Sequence, residues 1–329
     1  MTLVIILTFF LIYQNSIDIT VNDVYICIYT VYISCVYNSK ARSKVMITLT
    51  NLTKKLDKFT LRDINLSIPN GYICGLVGEN GAGKTTLLNT LLGLYKVNEG
   101  TIQIDDMDYE KSEKQIKNKF GVVLVDELFD SSISVISNAN YYGAYYPQYS
   151  SQKFLQLLED YNISPKKKFK KLSKGEKLKC QFAFALAHNP EILILDEPTA
   201  NFDPDFREKF FETIREFVSD GKKTVILATH ITDDLDMLAD YLIYLEKGEL
   251  VFAGDIEEFR DTYRIAEGEK YKINLIREDR IINIEESAYT TKALIKPGKR
   301  DTYDDSLTIS RPTIEEFMYL YSKRKGRRK

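Results

Sequence analysis

The chain has 329 residues, of which 44% are hydrophobic and 28% charged, and its formal net charge is −2. This composition is typical of a globular protein with one large domain or two small ones, and the balanced charge gives no sign of a nucleic-acid partner. The four cysteines form no CxxC pair, and the two histidines are His188 and His230. We therefore expect neither a disulfide framework nor a zinc site.

The first 45 residues differ from the rest of the chain. They contain two apolar runs, Thr2–Tyr13 and Val24–Tyr37. Both runs are shorter than the ~20 apolar residues of a membrane-spanning helix, and no signal-peptide pattern is present. Three interpretations stay open: translation from upstream of a true start at Met46, which we favour, a membrane-associating segment, or an additional hairpin. We leave residues 1–45 out of the predicted fold.

Regular patterns begin after Met46. Polar and apolar residues alternate in Ile47–Leu52 and in Leu61–Ile68, as in half-buried antiparallel strands. A turn signal at Asn70 and Gly71 precedes a continuous apolar run, Tyr72–Val77. The run predicts a strand in a sheet that is covered on both faces.

A phosphate-binding loop follows that strand. Residues 78–86 read GENGAGKTT, which fits GxxxxGK[ST], and an apolar helical run follows at Leu87–Leu94. Glycines let successive backbone N–H groups face phosphate oxygens, and a helix N-terminus favours negative charge. We expect Lys84 to contact the β- and γ-phosphates and the Thr85 hydroxyl to bind Mg²⁺. The predicted nucleotide-binding residues here are Gly78, Asn80, Gly81, Gly83, Lys84, Thr85 and Thr86.

Two further apolar runs end in polar residues. Ile192–Leu195 is followed by Asp196 and Glu197, and Thr224–Ala228 is followed closely by His230. Open α/β sheets bind ligands at the carboxyl ends of their parallel strands. We expect Asp196 to hold Mg²⁺, Glu197 to polarise the attacking water as general base, and His230 to contact the γ-phosphate.

With these residues the chain resembles the ATP-binding subunits of ABC transporters, over about Ile47–Arg264. Residues 172–176 (LSKGE) resemble the family's LSGGQ signature, and residues 196–203 (DEPTANFD) resemble its Walker B and D-loop sequence. His230 resembles the switch histidine. The resemblance implies an α/β P-loop NTPase fold, the ABC ATPase domain, with a mixed sheet core, an antiparallel β subdomain and a helical subdomain.

The resemblance also implies a mechanism. Two such domains enclose two ATP molecules head to tail, so that Ser173, Gly175 and Glu176 bind the ATP held by the partner's Lys84. ATP closes the dimer and hydrolysis, catalysed by Glu197, His230 and Lys84, releases it. The implied partners are a second nucleotide-binding subunit, identical or different, and an integral membrane permease, with no nucleic acid. The chain would lie at the cytoplasmic face of the membrane as a peripheral subunit.

Two departures from the family pattern concern the nucleotide. Lys174 and Glu176 stand where Gly and Gln are usual, so we expect an active site with an altered rate or asymmetry. Leu56 occupies the position of the aromatic residue that stacks on adenine, and we expect Phe59 to take that role.

A third departure lies before the predicted helical subdomain, about residues 127–175. The family's glutamine is missing after Gly121–Val125, and either Asp126 or Glu127 could replace it; we prefer Asp126 as the Mg²⁺ contact. Helical periodicity follows at Ser134–Tyr145 and Gln152–Tyr161. Five tyrosines either form the groove for a permease helix or simply pack the subdomain: Tyr141, Tyr142, Tyr145, Tyr146 and Tyr149.

Residues 265–329 predict a small α+β accessory region beyond the ATP-binding domain of residues 46–264. Short alternating stretches within Tyr271–Ile295 predict a small sheet, and Pro312 precedes a predicted helix, Thr313–Tyr321. We expect the basic tail from Ser322 to be solvated rather than bound to anionic lipid, and Lys166–Lys171 to be a solvated loop.

A finer resemblance points to bacterial ABC-2 export ATPases, some of which are linked to peptide-antibiotic resistance or multidrug export. It rests on residues 145–147 (YYP), the LSKGE signature and residues 311–313 (RPT). The alternative is a soluble, non-transport ABC ATPase acting on the ribosome or DNA. A single nucleotide domain and the lack of long heptad runs disfavour it. Intact Lys84, Asp196, Glu197 and His230 disfavour a hydrolysis-dead nucleotide switch.

Overall fold

The computed structural model describes residues 45–125, 128–287, 289–298 and 300–324. The interpretations of residues 1–44 and the roles predicted for Asp126 and Glu127 fall outside these ranges. Within them, no helix has the length and apolar character that crossing a bilayer requires.

The described strands and helices are numbered in chain order. The strands are β1 (Val45–Leu56), β2 (Phe59–Pro69), β3 (Ile73–Val77), β4 (Glu99–Ile104), β5 (Met107–Asp108), β6 (Phe120–Val123), β7 (Ile192–Asp196), β8 (Thr224–Ala228), β9 (Tyr241–Glu246), β10 (Glu249–Asp255), β11 (Arg264–Gly268), β12 (Ile281–Glu286), β13 (Thr291–Ile295) and β14 (Thr308–Ser310). The helices are α1 (Lys84–Leu91), α2 (Tyr109–Asn118), α3 (Val135–Gly143), α4 (Ser151–Asp160), α5 (Lys174–Ala187), α6 (Pro204–Val218), α7 (Thr232–Leu238), α8 (Ile256–Thr262), α9 (Lys270–Ile273) and α10 (Ile314–Ser322).

A six-stranded sheet, here called the central sheet, has the order β10-β9-β3-β8-β7-β6. Its strands run parallel except β10, which pairs antiparallel with β9. Every residue of β3, β7 and β8 is buried, which is why these strands read as unbroken apolar runs. The strands predicted at Tyr72–Val77, Ile192–Leu195 and Thr224–Ala228 are confirmed.

A second, antiparallel sheet has the order β2-β1-β4-β5. Its β1–β2 hairpin confirms the strands predicted at Ile47–Leu52 and Leu61–Ile68. Alternate residues such as Ile64, Leu66 and Ile68 are buried, because a strand exposes its two faces in turn. The predicted mixed-sheet core and antiparallel β subdomain are therefore both present.

The helical segment between β6 and β7 contains the two predicted helices, α3 and α4, each started by a serine cap. The Ser134 and Ser150 hydroxyls accept hydrogen bonds from backbone N–H groups of their own first turns. The expectation of a solvated loop at Lys166–Lys171 is wrong in part. Phe169 is fully buried, and the Lys167 ammonium pairs with Glu176 at 2.9 Å.

The accessory sheet has the order β12-β13-β11-β14. It confirms β12 and β13 from the predicted set, but residues 271–276 (YKINLI) are not a strand. Ile273 and Ile276 are both buried and three residues apart, which suits the helical turn of α9 rather than an alternating strand. The predicted boundary between the ATP-binding domain and the accessory region, at residue 264, falls at the first residue of β11. The division of the chain into these two domains stays a prediction.

The last helix, α10, packs on the central sheet. The predicted helix at Thr313–Tyr321 is present but shifted by one residue at each end, since Thr313 is its cap: the Thr313 hydroxyl and the Glu316 carboxylate form a capping box. The Phe317 ring is fully buried and lies 5.3 Å from the Tyr244 ring and 4.6 Å from the Tyr263 ring. These contacts join α10 to β9 and to the residue that follows α8.

The described part of the basic tail is held by an ion pair. The Arg324 guanidinium donates to both carboxylate oxygens of Glu246, which is itself buried, with 2.9 Å from Nη1 to Oε1. Its guanidinium also stacks 3.9 Å from the Tyr321 ring. The expectation of a solvated tail is therefore wrong at Arg324.

We expect Phe317→Ala to lower the free energy of unfolding by about 3–5 kcal/mol, because it removes a buried ring and leaves a cavity. Urea denaturation followed by circular dichroism measures the change. Tyr319→Ala is the matched control, since Tyr319 lies on the same helix with 45% of its surface exposed. Equal losses in both variants would contradict the assigned packing.

Candidate active site

Three loops emerge at one edge of the central sheet. Parallel pairing places Leu76 of β3 opposite Ala228 of β8, and Ala228 opposite Asp196 of β7. The phosphate loop, the acidic pair and the His230 loop each follow one of these three strands. Their side chains therefore converge at the carboxyl end of the sheet, as the sequence predicts.

The phosphate loop depends on glycine at two positions. Gly78 has φ +155°, and a Cβ there would lie 2.4 Å from the Leu245 carbonyl oxygen. Gly83 has φ +112°, and a Cβ there would lie 2.7 Å from the Phe59 ring. Both positions need a residue without a side chain. Helix α1 begins immediately afterwards at Lys84, so its first N–H groups face the loop.

The Lys84 ammonium lies inside the loop. Its Nζ donates to the Gly78 carbonyl at 2.7 Å. Burial lowers the pKa of Lys84, while the carboxylates of Glu197 and Asp196 act in the opposite direction. The structure thus brings the predicted phosphate-binding lysine close enough to both carboxylates for their charges to interact.

Glu197 and His230 are in direct contact. The Glu197 Oε2 atom accepts hydrogen bonds from the His230 backbone N–H at 3.2 Å and the Thr229 hydroxyl at 3.3 Å, and it lies 2.7 Å from His230 Nδ1. Glu197 itself has φ +49°, a left-handed conformation that is uncommon for residues other than glycine. Such conformations cluster at functional sites.

The residues predicted to hold Mg²⁺ supply suitable donors. Asp196 is buried at the end of β7, and Thr85 lies exposed in the first turn of α1. Mg²⁺ prefers oxygen ligands and usually binds through one or two side chains together with substrate phosphates. The part of the chain that the structure describes contains no cluster of three or more His, Cys, Asp or Glu side chains suited to a metal ion. The donor set fits a magnesium ion bound with a nucleotide.

The signature residues form a separate cluster at the start of α5. Ser173 caps this helix, and Glu176 completes a capping box by accepting the Ser173 N–H at 2.7 Å. That N–H is the main cause that lowers the pKa of the Glu176 carboxyl. A Cβ on Gly175 would lie 2.5 Å from the Asn201 carbonyl oxygen, so the signature turn packs tightly on the D-loop.

Three residues that sequence reasoning missed link the site's loops. The buried Asp234 carboxylate accepts the Thr199 hydroxyl at 2.6 Å and also pairs with Arg207. Thr199 follows the acidic pair, Arg207 lies in the first turn of α6, and Asp234 lies in α7, shortly after His230. The sequence signal here is the acidic pair Asp233 and Asp234 in the first turn of α7, and it identifies neither which of the two is buried nor its partners.

Phe59 is half-buried beside Gly83, so the structure places it at the phosphate loop. Its stacking on adenine stays a prediction. A Cβ added to Gly81 would meet no atom within 4 Å, and Asn80 is exposed on the same loop.

A family model described as "ABC transporter" matches residues 61–200. The ABC transporter ATP-binding protein NatA of Bacillus subtilis (strain 168) is 31% identical over 232 residues, which cover 67% of this chain and 93% of NatA. The chain belongs to the ABC transporter ATP-binding family. It is an ATP-binding, ATP-hydrolysing subunit of a transporter, and such subunits dimerise and act with membrane components.

Other relatives serve both directions of transport. Nod factor export ATP-binding protein I of Sinorhizobium fredii (strain NBRC 101917 / NGR234) is 32% identical and is matched over 66% of this chain and 64% of its own length. Tungstate uptake system ATP-binding protein TupC of Peptoclostridium acidaminophilum is 33% identical, with coverages of 63% and 97%. Among solved structures, the ATP-binding cassette MJ0796, a dimer in a post-hydrolysis state with ADP and Pi, has a TM-score of 0.58 and 26% identity, covering 64% of this chain and 99% of that one.

We expect Gly78→Ala to weaken ATP binding at least tenfold, because its Cβ would collide with backbone. Gly81→Ala is the matched control: its φ of +81° costs about 1 kcal/mol, but no atom lies within 4 Å of the added carbon. Calorimetric titration with ATP gives both dissociation constants. If Gly81→Ala weakened binding more than Gly78→Ala, the assigned loop geometry would be wrong.

Proposed function

We propose that this subunit forms a head-to-tail dimer around two ATP molecules and powers a separate integral membrane permease, with export as the direction of transport. It would lie at the cytoplasmic face of the membrane as a peripheral subunit. The observation that carries the proposal is the contact of Glu197 with His230 at the same sheet edge as the phosphate loop. The lean to export rests on the ABC-2 resemblance and on relatives named for Nod factor export.

Glu197 is the general base in this proposal. The contacts of its carboxylate with His230 and Thr229 all fall on Oε2, so we assign the attacking water to Oε1. A carboxylate held by fixed partners accepts a proton from a positioned water without first reorienting. The His230 side chain is 65% exposed, so it can change position when the γ-phosphate changes.

The remaining groups stabilise charge. Lys84 would leave its loop carbonyls for the β- and γ-phosphates, exchanging neutral acceptors for anionic ones. Thr85 and Asp196 would hold Mg²⁺, with Asp126 as a third contact outside the described residues. The metal ion neutralises phosphate charge when bound.

Ser173 and Gly175 act across the dimer in this proposal. Both stand at the N-terminus of α5, where N–H groups and the dipole favour an anion. Their contacts are with Glu176 and with the D-loop, so they form a cluster distinct from the phosphate loop of the same chain. A second copy would supply the γ-phosphate that they bind.

A groove between the central sheet and the helical segment supports a permease partner. Its volume is about 680 Å³, and its lining is mainly apolar and aromatic. Tyr142, Tyr145 and Tyr146 line it, whereas Tyr149 packs against Phe184 in the core. Three of the five tyrosines therefore favour the groove role and Tyr149 favours the packing role, while Tyr141 contacts the rings of Tyr142 and Tyr145. We assign the groove to a helix of the permease.

Glu197→Gln should lower kcat for ATP hydrolysis by about 100-fold or more, since it removes the base but keeps the shape of the side chain. ATP-dependent dimers should persist. Phosphate release and light scattering test the two expectations. Glu216→Gln, on the exposed face of α6, is the control that should change neither. Normal turnover in Glu197→Gln would refute the base assignment.

Tyr145→Asp should abolish recovery of a multi-span membrane protein with the tagged chain, because a charge would enter the apolar groove. Tyr271→Asp is the matched control, since both tyrosines are well exposed, at 67% and 60%. Mass spectrometry of material purified in mild detergent gives the answer. Recovery of ribosomal or DNA-associated proteins instead of a membrane protein would favour the non-transport alternative.

A further inference from the structure

The signature turn carries a negative charge where an anion is to bind. Glu176 stands where the family pattern has glutamine, and its carboxylate lies 2.7 Å from the Ser173 backbone nitrogen. Under the proposed function, on which this inference rests, the partner's γ-phosphate binds at the same turn. A carboxylate and a phosphate bound at one turn repel each other, and the repulsion is strong where a closed dimer excludes water. Some group must offset the carboxylate.

The Lys167 ammonium offsets the charge of the Glu176 carboxylate. Its Nζ lies 2.9 Å from Glu176 Oε1, while Oε2 of the same carboxylate accepts the Ser173 N–H. The lysine and glutamate side chains are only 35% and 31% exposed, so the pair is partly shielded from solvent. The ammonium thus neutralises Glu176 and fixes its second oxygen in the helix cap.

The position of Lys167 is set by the backbone around it. The Lys167 carbonyl accepts the Val135 N–H at 3.0 Å, and the Phe169 N–H donates to the Ile133 carbonyl at 3.0 Å. Phe169, two residues along, is fully buried. The loop is therefore tied to the start of α3, the helix that carries Tyr142 of the groove.

Neighbouring lysines do not share this position. Lys166 and Lys168 are exposed and stand on either side of Lys167. Lys174, the other cation in the signature turn, is exposed as well. Among the lysines of this loop and turn, the ion pair with Glu176 belongs to Lys167.

We propose that Lys167 is a positioning residue for ATP hydrolysis: it neutralises Glu176 and holds that carboxylate in the Ser173 cap, so that the signature turn accepts the partner's γ-phosphate. Its role exists because position 176 is acidic. Removing Lys167 leaves an uncompensated carboxylate beside the phosphate, whereas a glutamine at position 176 makes the lysine unnecessary.

A double-mutant cycle tests this. ATP-dependent dimerisation is measured by light scattering in the Glu197→Gln background, with Lys167→Met, Glu176→Gln and the pair combined. Lys167→Met should raise the ATP concentration for half-maximal dimerisation by roughly 3- to 30-fold, the range for one uncompensated charge that is partly screened. In the presence of Glu176→Gln, the same change should have no effect. Lys167→Arg should restore the parent behaviour, and Lys166→Met should leave it unchanged.

The outcomes distinguish a failure of the role assigned to Lys167 from a failure of the proposed function. If Lys167→Met weakens dimerisation equally with Glu176 and with Gln at position 176, its role is only structural and the proposal is overturned. The same holds if Lys167→Met behaves like Lys166→Met. If the parent protein does not dimerise with ATP, the proposed function fails, and this inference fails with it.

Discussion

The parallel pairing of β3, β8 and β7 is the constraint on which the site depends. Because the three strands run side by side in the same direction, whatever follows each of them emerges at one edge of the sheet. The phosphate loop, the Glu197 turn and the His230 loop are far apart in the chain but become neighbours there. Every residue of these strands is buried, so a shift in register would disrupt the close packing on both faces of the sheet.

The loops at this edge are joined to each other as well as to the strands. His230 contacts Glu197, and Asp234, one turn later, contacts both Thr199 and Arg207. These contacts couple the His230 loop to the segment that runs from the acidic pair into α6, so a movement of the loop shifts that segment. Asp234 is fully buried and carries charge-assisted hydrogen bonds, so separating these loops would be costly.

Much of this arrangement is readable from the sequence, because its signals are local. The three core strands are unbroken apolar runs, and the phosphate loop is a short motif between a strand and a helix. The rest depends on contacts between distant residues. Arg324 pairs with Glu246, 78 positions away, so the sequence alone makes it a solvated tail residue. Lys167 lies in a run of basic residues, and only the folded chain shows which lysine meets Glu176. The short apolar stretch around Ile273 is compatible with a strand and with a helix, so the sequence alone does not distinguish the two.

The central claim is that each active site joins the phosphate loop of one copy to the signature turn of another. Mixing two inactive variants tests it most directly: Lys84→Ala, which disables the phosphate loop, and Ser173→Arg, which blocks the signature. In a mixed dimer, one site then contains both intact halves. Random pairing should restore about a quarter of the wild-type ATPase rate, because half the dimers are mixed and each has one intact site. A mixture as inactive as either variant alone would contradict a site that is shared between two copies of this chain.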